Sequence, residues 1–288
     1  MLTGSGERLA YDVLLIATGA EPRQLPTLGF DLPNVFMLRS LADARAIVEA
    51  SKSATSVALI GAGFIGMEAA AALRVRGLRV HVVAPEEVPM ERALGREVGG
   101  FITGLHQEQG VEFHLQSVAK DFDGKVLTLG DGTRVAADLL IVGAGVAPRT
   151  ELAAAAGLAV QDGILVDPNL QTSVAGHFAA GDVARYRYGA DLVRVEHWVH
   201  AQRQGQAAAA NMLGAGQPFM DVPYFWTHHY GLDLRYTGYA GGWDEIRIDG
   251  TLSKQDFTAR YFRAGTLVAA ASVGRDLENL SIETTLQG

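Results

Sequence analysis

Apolar residues fall into short unbroken runs separated by stretches with helical spacing. Tyr11–Ile16 runs apolar into Ala17-Thr18-Gly19 and predicts a buried strand. Pro22, Pro26, Gly29 and Pro33 predict an irregular connector. Ser40 then suits the N-cap of a helix carrying Leu41, Ala44, Ile47 and Val48 on one face. Ser56–Ile60 predicts a strand, Gly61–Gly66 a turn, Ile65–Arg76 a helix closed by Gly77, and Leu78–Val83 a second strand. A helix over Arg96–Gln109, a strand over Val111–His114, a small antiparallel meander over Val118–Leu129 and Thr133–Ala136, and a buried strand over Asp138–Val142 follow. After Arg149 come a short Ala-rich helix, strands at Ile164–Val166 and His177–Ala180, and a long helix over Val199–Leu213. Alternation in Phe257–Phe262 and Leu267–Ala271 predicts an antiparallel sheet before a polar, helical tail.

Composition narrows the function. The 288 residues are 48% hydrophobic, which allows at least one large core. A net charge of −8 with scattered acidic residues leaves no basic stripe for nucleic acid. No apolar run approaches the roughly 18 residues of a membrane span. The first residues lack the pattern of a signal peptide, so the expected compartment is the cytoplasm. The chain has no cysteine, which excludes a Cys-x-x-Cys redox pair or a Cys-ligated metal within it; no metal site is expected.

Gly61-Ala62-Gly63-Phe64-Ile65-Gly66 fits G-x-G-x-x-G between a strand and a helix, inside one βαβ unit. Gly61 allows the tight turn, Gly63 admits a pyrophosphate to the backbone, and Gly66 lets helix and sheet approach closely. Free N–H groups and the helix dipole then favour the phosphates. The second strand ends in Ala84, where an acidic residue would ordinarily bind the ribose. Glu86 and Glu87 follow with no basic residue adjacent in sequence; they either disfavour a 2′-phosphate, and so favour NADH over NADPH, or are solvated loop residues.

Tyr11–Gly19, Gly61–Glu68, Leu140–Pro148 and His177–Asp182 occur in an order that resembles the FAD-dependent pyridine nucleotide-disulfide oxidoreductases. Glu196-His197-Trp198 and Pro223-Tyr224-Phe225-Trp226 are similar to the ferredoxin/rubredoxin reductase branch, within it the apoptosis-inducing-factor-like reductases. The resemblance implies an α/β fold in four parts. These are a remnant of an FAD-binding domain (1–40), a Rossmann-like NAD(P)-binding domain (41–147), a second FAD-binding part (148–220) and a C-terminal α+β domain (221–288). It also implies an N-terminal flavin-cradling unit with its own glycine fingerprint, and nothing before Tyr11 supplies one, so that unit is expected to be missing.

By the same resemblance, Phe64, Ile65, Gly143 and Gly145 join the glycines and Glu86 at the NAD(P)H site, with Gly143–Pro148 on the nicotinamide side. Ala17, Thr18, Gly19, Gly181, Asp182, His197 and Trp226 belong with FAD, Asp182 through a ribityl hydroxyl. Glu68, Glu196 and Trp198 stand at the reacting rings. Each has a plainer alternative: Glu68 a charge complementing the helix dipole, Gly181-Asp182 an ordinary turn, and Trp198 and Trp226 core packing. The implied activity is hydride transfer from NADH to FAD, then single electrons to a ferredoxin-, rubredoxin- or Rieske-type iron–sulfur protein. A quinone or monodehydroascorbate acceptor, or a flavin-free nucleotide-binding interaction module, are the alternatives. A homodimer is left open.

Overall fold

A computed structural model describes residues 3–26 and 29–288. The first strand, β1 (Leu14–Ile16), is shorter than the predicted Tyr11–Ile16, because its pairing partner begins only at His177. Tyr11 stays exposed and is hydrogen bonded to the His177 ring at 3.0 Å. Ala17-Thr18-Gly19 lies outside any strand and leads into β2 (Ala20–Pro22).

The central body is built from β3 (Val35–Met37), α1 (Leu41–Ser51), β4 (Ser56–Ile60), α2 (Phe64–Val75), β5 (Arg79–Val83), α3 (Glu91–Glu108) and β6 (Val111–His114), followed by the meander β7 (Ala119–Phe122), β8 (Val126–Leu129) and β9 (Arg134–Ala136), and by β10 (Leu139–Val142). The parallel sheet runs β3-β10-β4-β5-β6. Every residue of β4 and β10 is buried, as unbroken apolar runs demand of central parallel strands covered on both faces. Ser40 caps α1 in a reciprocal box with Asp43. The predicted apolar face of α1 is only partly used: Ile47 is buried, but Leu41 and Val48 are exposed. Helix α3 begins five residues ahead of the predicted Arg96 and is kinked at Gly95, whose φ of 76° interrupts the helical spacing. The first meander stretch is itself a hairpin, because the Asp123 carboxylate accepts from the Lys125 and Val126 N–H groups and turns the chain.

Two antiparallel links lie side by side where the chain leaves this body: β11 (Val146–Pro148) pairs with β2. Next come α4 (Glu151–Ala155), β12 (Ile164–Leu165) and β13 (His177–Ala179), which pairs in parallel with β1. A 3-10 turn (Gly181–Val183), β14 (Ala184–Tyr188), β15 (Asp191–Val193) and α5 (Trp198–Met212) complete this part. Helix α5 starts one residue before the predicted Val199.

The last part is an antiparallel sheet of β16 (Tyr224–His229), β17 (Leu232–Gly238), β18 (Glu245–Thr251), β19 (Asp256–Arg263) and β20 (Thr266–Val273), in the order β16-β17-β20-β19-β18, with α6 (Asp276–Gln287) as the helical tail. Leu94, Val98 and Ile102 on α3 pack with Phe257, Ala259 and Tyr261 of β19 in one continuous core. The Tyr261 hydroxyl donates to the Leu94 carbonyl at 2.9 Å, just ahead of the Gly95 kink. Strand β16 lies directly against α2. Among the described residues, no helix is long and apolar enough to cross a membrane.

Candidate functional site

The glycine turn between β4 and α2 is pressed against the end of β10. Gly61 has φ +99°, and a Cβ there would lie 2.3 Å from the Gly143 carbonyl oxygen. A Cβ on Gly66 would lie 2.4 Å from the Gly61 carbonyl oxygen. Gly63 differs from both: nothing lies within 4 Å of where its Cβ would be. Helix α2 starts there without a side-chain cap, so its first-turn N–H groups are left for a ligand. A cavity of about 580 Å³ opens over this turn, lined by Gly61, Gly63, Phe64, Glu86, Gly143 and Gly145. The fold also brings Arg92 of α3 to 3.7 Å from Glu86, so the expectation of no neighbouring basic residue holds only along the sequence.

A second cleft, about 600 Å³, shares Gly63, Phe64, Gly143 and Gly145 with the first. Ile65 turns its side chain toward this second cleft and lies outside the first cavity's lining. Glu68, Glu196, His197, Trp198 and Trp226 meet here, from three separate elements. Trp198 is 76% exposed and Trp226 45%, which excludes core packing for both. Glu68 stands in the second turn of α2, beyond the helix terminus. Its Oε1 accepts from the Thr227 hydroxyl at 2.7 Å and the His228 N–H at 3.1 Å. These bonds tie it to β16 and account for it better than the helix dipole does. Glu196 accepts from Arg194. His197 stacks on Phe225 with ring centroids 3.8 Å apart, and burial pushes its pKa down to about 4, so it is neutral at pH 7. Phe64 packs edge-on against the same Phe225 at 4.7 Å.

The remaining candidates gather just behind this cleft. The Thr18 hydroxyl donates to the Arg149 carbonyl at 2.6 Å, and Gly19 turns at φ +69°; Ala17 is exposed beside them. Gly181 also has a positive φ, and its N–H donates to the buried Gln204 side chain at 2.8 Å. Asp182 is ion-paired with Arg39 at 2.6 Å, so its carboxylate already has a strong partner. Arg39 itself lines the second cleft and donates through Nε to the Ala20 carbonyl. Arg39 and Thr227 were missed in the sequence, and Phe225 was read there only as part of a motif, with no site role. Arg39 directly precedes the Ser40 cap, and there it reads as an ordinary exposed cation.

Residues 1–205 match the pyridine nucleotide-disulphide oxidoreductase family and residues 224–286 the reductase C-terminal family. The chain belongs to the pyridine nucleotide-disulphide oxidoreductases. It is 36% identical to rhodocoxin reductase of Rhodococcus erythropolis, over 96% of this chain and 67% of that protein. It is 35% identical to human apoptosis-inducing factor 3, over 94% of this chain and 46% of that protein. The solved covalent putidaredoxin reductase–putidaredoxin complex superposes with a TM-score of 0.95 at 31% identity, over 99% of this chain and 72% of that one. The chain thus spans between 46% and 72% of these proteins' own length. The fold is the mixed α/β architecture of the ferredoxin reductases.

Membership implies FAD and NADH. The residues present fit NADH at the first cavity and the ring and ribityl part of FAD at the second. The open position at Gly63 leaves room for a pyrophosphate to approach the backbone, whereas Gly61 and Gly66 are closed by backbone. The second cleft offers the exposed aromatic side chains Trp198 and Trp226, and Val199 in the first turn of α5, whose N–H groups have no partner within the helix. With no cysteine in the chain, the disulphide chemistry in the family's name has no residues here.

Proposed function

We propose that this chain carries the NADH-oxidising and electron-releasing site of an FAD-dependent reductase whose acceptor is an iron–sulfur protein. The observation that carries the reading is the shared wall: Gly63, Phe64, Gly143 and Gly145 line both cavities, so a ligand in each meets the other at that wall. Rings held in contact there need only alignment and exclusion of water for hydride transfer. In this reading residues 41–147 hold the dinucleotide, 1–40 and 148–220 hold the flavin, and 221–288 close the cleft.

The N–H groups at the start of α2 bind the NADH pyrophosphate, with Gly63 giving close approach. Ile65 borders the flavin side of the wall, and Glu86 faces the adenosine ribose. On the flavin side, Asp182 and Gly181 serve the ribityl-diphosphate arm, with Ala17, Thr18 and Gly19 supporting the link beside it. The N-terminus of α5, following Glu196 and His197, places positive potential at the ring. FAD, when bound, supplies the conversion of a two-electron hydride donor into a one-electron donor. His197, neutral and stacked on Phe225, shapes the cleft and does not exchange protons near pH 7. Exposed Trp198 and Trp226 rim the opening, as aromatic residues do at protein–protein contacts.

The test is anaerobic. The chain is loaded with FAD and mixed with NADH while the flavin absorbance is followed; bleaching is expected. Reoxidation by a two-iron ferredoxin should then outpace reoxidation by a quinone. NADH binding without bleaching sinks the reductase reading for this chain, and faster reoxidation by the quinone sinks the iron–sulfur acceptor.

A further inference from the structure

Behind Glu68 lies a row of hydrogen bonds that neither cofactor explains. The Thr227 hydroxyl donates to Glu68 Oε1 at 2.7 Å. The same hydroxyl oxygen lies 3.1 Å from His229 Nε2, His229 Nδ1 lies 3.2 Å from His106 Nε2, and His106 Nδ1 lies 3.3 Å from the Tyr230 hydroxyl. His106 and His229 are fully buried, on α3 and β16, 123 positions apart. Burial pushes their pKa values down to about 3 and about 4, so both are neutral at pH 7, with one N–H and one bare nitrogen each.

Two neutral rings and the donation from Thr227 to Glu68 fix every proton in the row. Thr227 spends its hydrogen on Glu68, so it must accept the Nε2–H of His229. The bare Nδ1 of His229 then accepts the Nε2–H of His106, whose bare Nδ1 accepts the Tyr230 hydroxyl. Burial pushes the Tyr230 pKa up to about 12, which keeps it a donor. All the donors point toward Glu68. Tyr230 holds its place at φ +52°, in a tight β16–β17 turn where asparagine or glycine is the usual occupant. That strained position is the one from which its hydroxyl reaches His106.

We propose that Tyr230, His106, His229 and Thr227 form a proton relay that serves Glu68 in the reaction cleft. The proposal rests on the reading that hydride enters that cleft. Hydride transfer to the flavin side brings negative charge beside Glu68. One proton is then taken from water at Tyr230, and each O–H or N–H bond in the row breaks as the next one forms. A proton arrives on Glu68 Oε1, and no electron moves along the row. The row is left reversed, with both rings Nδ1-protonated, and returns the proton by the same path when the electrons leave. Tyr230 opens on an outer groove walled mainly by apolar side chains, Ile47, Val48, Leu73 and Val75 among them, with Glu68, Arg76 and His228 also on its wall. Charged or titratable groups nearby are Arg74, beside Tyr230, and His228, beside His229 and bonded to Asp233.

The first test needs no cofactor. Nitrogen NMR of the 15N-histidine-labelled chain at pH 7.5 should show His106 and His229 each as a single Nε2-protonated tautomer. Glu68→Ala removes the acceptor that orients the row, so both rings should then show two tautomers together, although His106 never touches Glu68. Tyr230→Phe removes the opposite end and should leave both rings Nε2-protonated. An Nδ1-protonated or cationic ring in the parent chain, or a His106 indifferent to Glu68→Ala, overturns the relay. The second test mixes FAD-loaded protein with NADH in the presence of a pH indicator. Proton uptake should accompany reduction, vanish in Glu68→Gln and slow in His229→Gln. Reduction without uptake in the parent protein also overturns it. Ordered tautomers in a chain that fails to bind NADH would instead sink the cofactor reading and leave the row intact.

Discussion

The three fingerprint glycines look alike in sequence and do different work. Gly61 and Gly66 are enforced by backbone oxygens 2.3 and 2.4 Å from where a methyl would sit, and Gly61 also by its positive φ. Gly63 has an ordinary φ of −79° and empty space. Gly61→Ala should therefore cost on the order of 1–3 kcal/mol of stability, read as a lower Tm by about 2–4 °C per kcal/mol. Gly63→Ala should keep the parent Tm and weaken NADH roughly tenfold, a loss of about 1.4 kcal/mol. Calorimetry and titration on the same two proteins separate these outcomes; a Tm loss at Gly63 would contradict the assignment. The Glu86–Arg92 pair makes a second case. In the proposed site Glu86 would repel a 2′-phosphate, and Arg92 stands beside it. Glu86→Ser should narrow the preference for NADH over NADPH by roughly tenfold, since removing one charge near 4 Å changes the energy by about 1–4 kcal/mol at surface dielectrics. An unchanged ratio of the two affinities would mean that Glu86 is only a solvated loop residue.

Among the elements, those legible in the sequence are the ones whose signals are local. The β4–turn–α2–β5 unit is readable because apolar runs, glycine spacing and a closing glycine all fall within one short stretch. Ser40 is readable as a cap for the same reason, and the capping box with Asp43 bears it out. Ser40→Ala should cost about 1 kcal/mol, visible as a lower denaturant midpoint at unchanged slope; no shift would show that α1 is held by packing alone. The start of α3 was hidden because Gly95 breaks the periodicity at the kink. The exposed face of α1 was hidden because nothing local distinguishes Ile47 from Val48. The cleft was readable only in pieces. Glu68, Glu196 and Trp226 carry motif context, but the bond from Glu68 to Thr227 joins residues 159 positions apart, and neither advertises the other.

At the scale of the whole molecule, the hidden cost is buried histidine. His106, His200 and His229 are at most 1% exposed, and burial lowers their pKa values to about 3, 3 and 4 from the ordinary 6.5. A depressed histidine pKa means that the unfolded chain binds more protons than the folded one between about pH 4 and 6.5. Stability is therefore complete above pH 6.5 and falls as the pH drops through that window. Near pH 5 each ring removes up to about 2 kcal/mol, since 1.36 kcal/mol accompanies each pH unit. Three such rings compete with a total stability of about 5–15 kcal/mol, so Tm should fall steeply between pH 6.5 and 5. The same penalty explains why the two rings behind Glu68 stay neutral and bonded to each other. His200→Gln is the informative variant, because His200 stands apart from that row, bonded to Tyr186 at 2.9 Å. It should flatten the fall of Tm with pH. If it leaves the slope unchanged, His200 is protonated without cost in the folded chain, and burial does not govern the acid sensitivity of this fold.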